Sequence, residues 1–117
     1  MGSSIGLNLT DVGDLIFRVS QLYLFKDGKD LGADITIQSG DMQEMFTLRF
    51  PDNKRLLVKV YPHRNFSNEP VFRIEVYRTK EGDMRGNRIA FMEALTHRDS
   101  ADEIQRFVKS YLGQLGI

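Results

Sequence analysis

The chain has no cysteine, which excludes disulfides, thiolate metal sites and cysteine nucleophiles together. It has only two histidines, His63 and His97, far apart in sequence and without a ligand-spaced companion. A metal site needs three or more convergent donors, so neither metal nor cofactor is expected. No apolar run approaches the length of a membrane-spanning helix. The N-terminus lacks the basic and apolar regions of a secretory signal. Its opening Met1-Gly2-Ser3-Ser4 is open between native sequence and an appended scar, and Gly6 breaks the myristoylation pattern. Glycine fingerprints, phosphate loops and hydrolase elbows are missing too, so no enzymatic activity is expected. An intracellular setting, cytoplasmic or nuclear, is the expectation.

What is present suits a single domain. At 117 residues the chain can build one hydrophobic core, and 41% hydrophobic with 27% charged residues is ordinary for a globular protein. The net charge of zero conceals an asymmetry. Residues 1–46 hold three basic residues against seven acidic ones, leaving a basic excess in the remainder. Such a split marks either a partner surface or two halves that complement each other. Residues 1–9 are expected to form a flexible tail.

Residues 10–26 support two readings. Val12, Leu15, Ile16, Val19, Leu22 and Tyr23 recur at helical spacing, with Thr10 or Asp11 available as a cap. Ile16–Phe25 is also rich in β-branched and aromatic residues, and leads into an Asp27-Gly28 turn signal. The spacing favours a helix through about residue 20 followed by an extended segment.

Period-two alternation then dominates. Residues 34–38 alternate, and Phe46, Leu48 and Phe50 share one face of the next strand. Pro51 to Lys54 supplies a tight turn. Leu56, Val58 and Val60 form a second inward row and Phe72, Ile74 and Val76 a third, separated by a long polar loop from Pro62 to Pro70. After a connection over Lys80–Asn87, Ile89 and Phe91 are expected to resume the inward pattern. At the C-terminus Ser100 and Glu103 fit a capping box. Ile104, Phe107, Val108, Tyr111, Leu112 and Leu115 make an apolar stripe, and Gly113 is a natural stop. The predicted fold is α+β: an antiparallel meander of five to six strands, an N-terminal helix, and an amphipathic C-terminal helix on one face.

The inward rows place Thr47, Arg49, Leu57, Lys59, Tyr61, His63, Val71, Arg73, Glu75 and Tyr77 on the opposite face, with Arg88, Ala90 and Met92 on the last strand. Cations neutralise phosphates and aromatic rings stack on unpaired bases, so this surface suits single-stranded nucleic acid. A solvated pleat also selects polar and long-stemmed residues, and Glu75 sits amid the cations.

Two resemblances bear on the choice. The strand, Glu81-Gly82-Asp83-Met84 turn and strand running from Val71 to Phe91 resemble the transcriptional coactivator family called positive cofactor four. The amphipathic ending, residues 103–116, is similar to the close of a Pur-alpha repeat. Both families share with the Whirly proteins a curved antiparallel sheet followed by a helix. They dimerise through it and bind single-stranded DNA or RNA. The turn here lacks their proline, the coactivators' basic lead-in is missing, and residues 1–42 have no counterpart. The likeness implies phosphate contact or base stacking, by shared face, for Lys59, Tyr61, Arg73, Tyr77, Arg85 and Arg88; alternation adds Arg49. Residues 89–112, a strand bending into a capped helix, are similar to the end of pleckstrin-homology-like domains. That likeness would use residues 16–25 and 35–38 as a first hairpin, and implies a protein-interaction module.

Overall fold

The computed structural model describes residues 6–24, 34–50, 54–80 and 86–114. Its order is α1 (Leu9–Leu24), β1 (Asp34–Ser39), β2 (Glu44–Arg49), β3 (Lys54–Arg64), β4 (Pro70–Lys80), β5 (Asn87–Leu95) and α2 (Ser100–Gly113). The strands make one antiparallel sheet in the order β1-β2-β3-β4-β5, the expected meander.

The helix reading of the N-terminal segment prevails, and the helix runs past residue 20 to Leu24. Val12, Ile16, Val19 and Leu24 are buried on one stripe, and Leu24 completes it a turn beyond the expected end. Residues 16–24 therefore do not supply a hairpin strand. The helix opens on a reciprocal cap: Asp11 N–H donates to Asn8 Oδ1 at 2.8 Å, and Asn8 N–H donates to Asp11 Oδ2 at 3.1 Å. Just before it, Leu7 N–H donates to the Thr96 carbonyl at 2.9 Å.

The capping box expected for α2 does not form. Asp99 occupies the cap position without a side-chain hydrogen bond. Ser100 and Ala101 N–H groups donate instead to the carbonyls of His97 and Arg98, so a preceding turn already satisfies the Ser100 N–H that the Glu103 side chain would serve. Gly113 does not adopt the left-handed stop either; the chain stays right-handed through Gln114 (φ −66°).

The three inward rows, Phe46, Leu48 and Phe50, then Leu56, Val58 and Val60, then Phe72, Ile74 and Val76, are all buried. They form one core with Val12, Ile16, Val19 and Leu24 of α1 and Ile104, Val108, Tyr111 and Leu112 of α2. Both helices pack on this face and against each other, so the lid expected of α2 is shared. Burial drives the Tyr111 phenol far above its ordinary pKa, with the Ser20 hydroxyl across the helix pair opposing the shift.

Three details shape the opposite face. The loop expected over Pro62–Pro70 is shortened from both ends: β3 and β4 pair out to Arg64 and Pro70, leaving residues 65–69 as the turn. On β5, Tyr77 pairs with Arg88 but Val76 pairs with Ala90, so Ile89 is an extra residue in a bulge. The bulge reverses the expected facing downstream. Phe91 lies opposite outward Glu75, whereas Ala90 and Met92 lie opposite inward Val76 and Ile74. Gly86 enters β5 at φ +43°, where an added Cβ would stand 2.6 Å from the Arg78 carbonyl oxygen, so only glycine fits. The Pro51–Lys54 and Lys80–Asn87 turns, Arg85, Leu115, Asp27-Gly28 and Met1–Ser4 fall wholly or mainly outside the described residues.

Candidate functional site

With both helices on one face, no other described element packs across the opposite face of the sheet. The central strands position its chemistry. On β3 alternation directs Leu57, Lys59, Tyr61 and His63 outward, because Leu56, Val58 and Val60 are committed to the core. The β3–β4 register sets Lys59 beside Glu75, Tyr61 beside Arg73 and Leu57 beside Tyr77. The β4–β5 register adds Phe91 beside Glu75 and Arg88 beside Tyr77.

Glu75 is the hub of this arrangement. It is only 8% exposed, although it stands on the outer face, because its neighbours close over it. Arg88 Nη1 donates to Glu75 Oε2 at 3.2 Å. Arg73 Nε stands 3.6 Å from the same oxygen, an ion pair beyond hydrogen-bond reach, and this buried nitrogen makes no hydrogen bond. Tyr61 and Tyr77 flank the Glu75 carboxylate closely enough to feel its charge. Partial burial and then the Glu75 charge raise both phenols above the ordinary tyrosine value of 10.0.

A cation–aromatic layer surrounds the hub. The Arg73 and Arg88 guanidiniums lie 5.1 and 4.7 Å from the Phe91 ring centroid. Lys59 Nζ lies 5.2 Å from the Tyr77 centroid. The Tyr61 and His63 rings meet edge-on at 6.1 Å. Phe91 nevertheless keeps 46% of its surface exposed.

The structure therefore gathers Lys59, Tyr61, Arg73, Tyr77 and Arg88 into one cluster. Arg49 is outward and exposed but paired with Arg55, four residues along β3 from Lys59. Arg85 lies outside the described residues. Phe91 was missed from sequence because the run Ile89-Ala90-Phe91-Met92 suits either face, and only the bulge decides which. Glu75 was visible on the outer face, but its contacts with both arginines and both tyrosines were not.

Elsewhere, a cleft of about 470 Å³ between the start of α1 and the approach to α2 is lined by Asp11, Asp14, Arg18 and Arg98 among others. Among the described residues no group of three metal-ligating side chains converges, and no helix is long and apolar enough to cross a membrane. Compared with protein families, curated proteins and solved structures, the chain finds no match in any of the three.

Proposed function

We propose that this chain is a non-enzymatic binding module that takes single-stranded nucleic acid on the uncovered face of its sheet, inside the cell. The observation that carries this reading is the exposed Phe91 ring between two guanidiniums, beside Tyr61, Tyr77 and Lys59. A base displaces a guanidinium from the ring and stacks in its place, and phosphates on either side meet the guanidinium N–H groups that Glu75 does not occupy. No sequence-specific readout is required, since every base presents a π-face. As in the resembled families, a second copy would join through the sheet and its helix.

The test is fluorescence anisotropy with a labelled single-stranded oligonucleotide at two salt concentrations. Binding is expected at low salt and should weaken as salt rises, because phosphate contacts release counterions. Tyr61→Ala and Arg73→Ala should each weaken binding about tenfold, on the order of one stacked base or charged contact, with the fold retained by circular dichroism. No binding at low salt overturns the proposal.

A second reading, a protein-interaction module of the pleckstrin-like kind, draws on the exposed apolar side chains Phe91 and Leu95 of edge strand β5. It predicts a defined complex from the native host that survives nuclease treatment.

A further inference from the structure

The aromatic chemistry of the outer face continues beyond the Glu75 cluster, toward the β3–β4 turn. Lys59, Tyr61 and His63 occupy successive outward positions on β3. The β2–β3 pairing ends at Val60, whereas β3 and β4 stay paired with each other to Arg64 and Pro70. Beyond Val60 this hairpin is therefore an arm with one flank free of β2. At its end stands Phe66, 109% exposed.

That exposure means the Phe66 ring buries no surface against the rest of the described structure and contributes nothing to its core. Yet the turn holding it is built with care. Asn65 Oδ1 accepts from the Ser67 and Glu69 N–H groups, both at 2.9 Å. Asn65 N–H donates to the Glu69 carbonyl at 3.0 Å, and Asn68 N–H donates to the Asn65 carbonyl at 2.9 Å. Asn68 takes φ +63°, a conformation asparagine tolerates better than most residues. Arg64 Nη1 donates to the Asn68 carbonyl at 2.9 Å, placing a guanidinium at the same tip. The loop thus presents a ring and a cation from a fixed backbone.

We infer that the β3–β4 arm is a second stacking station for the strand bound at the Glu75 cluster, with Phe66 as its base-stacking residue. The inference rests on the single-stranded reading above. Chemistry on the arm favours a base over an apolar pocket or a lipid surface. The residues around the ring, Arg64, Asn65, Ser67, Asn68 and Glu69, are all polar, so the tip offers a lone ring and no apolar patch. A base needs only the ring face and a nearby cation for its phosphate.

Geometry sets the size of the site. From Lys59 to Arg64 the strand advances about 17 Å at ~3.3 Å per residue. That distance spans about five nucleotides at the ~3.4 Å spacing of stacked bases. Short strands should therefore reach only the Glu75 cluster, and longer ones both stations.

The experiment is an anisotropy titration at low salt with single-stranded oligonucleotides of four, six, eight and ten nucleotides. The wild-type chain should gain affinity steeply between four and eight nucleotides. Phe66→Ala should bind the ten-nucleotide strand about tenfold more weakly, the loss of about one stacked base, and should flatten the length dependence. Phe66→Trp should restore it. Both variants should fold, since the native ring makes no buried contact, and unchanged thermal unfolding would establish this. A loss equal at every length, or no loss at all, overturns the inference while leaving the single-stranded reading intact. If the wild-type chain binds no strand of any length, the reading falls and this inference with it.

Discussion

A single carboxylate governs the chemistry of the outer face. Glu75 engages Arg73, Arg88, Tyr61 and Tyr77, so two of the cations nearest the exposed Phe91 ring are partly neutralised before any ligand arrives. A phosphate approaching this ring competes with Glu75 for the same guanidinium groups. Glu75→Gln keeps the size and polarity of the side chain but removes the competing charge. Oligonucleotide affinity should rise severalfold in that variant. The slope of log K against log salt should steepen by about 0.7 for each guanidinium released to a phosphate. Anisotropy over a salt series measures both, and an unchanged slope would mean that the arginines never reach the phosphates.

At the scale of the elements, α1 meets the sheet at an unusual contact. Glu44 begins β2 facing inward, in line with Phe46 and Leu48, and is 8% exposed. Its carboxylate fills the space where Gly13 of α1 lacks a side chain, and a Cβ there would collide with it. Glycine inside a helix costs about 1 kcal/mol relative to alanine, and here it lets the helix backbone approach the strand. Burial first, and then the negative charge of Asp14 on the same helix, raise the Glu44 pKa above its ordinary 4.5. The folded state therefore holds the Glu44 proton more tightly than the unfolded chain. This contribution to stability is complete below the ordinary value and is lost as pH rises through the raised one. Glu44→Gln, neutral throughout, should exceed the wild type in Tm at pH 7 by a few degrees. The difference should close as pH falls toward 4. Thermal unfolding monitored by circular dichroism from pH 4 to 8 would check it, and a constant offset would show that Glu44 is not being protonated on folding.

The whole molecule is a two-layer structure in which two helices cover one face of a five-stranded sheet. Strand burial is graded across it. The central strands β3 and β4 carry fully buried inward rows, whereas β1 at one edge is exposed along most of its length. Opening should follow that gradient. Native-state amide exchange should find the slowest amides at Val58, Val60, Ile74 and Val76. The β1 amides should exchange orders of magnitude faster, and equal protection across the sheet would mean that it opens only globally. The open face, its net of cations and rings, and the projecting β3–β4 arm are properties of this layering, since no single strand creates them.

Much of this was legible in the chain itself. Alternation in residues 46–60 and 72–76 specified which side chains enter the core, because a slip of one residue would expose every apolar group at once. The same alternation placed Lys59, Tyr61, Arg73 and Tyr77 on one surface, and helical spacing located both helices. What tertiary structure decided were features that depend on contacts between distant segments. The extra residue Ile89 turned Phe91 outward, since a bulge arises from pairing with β4 and has no period of its own. The α2 capping box gave way to a backbone turn in which the His97 carbonyl already satisfies the Ser100 N–H. Packing carried α1 on to Leu24, and the β3–β4 register extended a supposed loop into an arm. Local pattern determined which residues face the core, and long-range pairing determined which of the remainder meet one another.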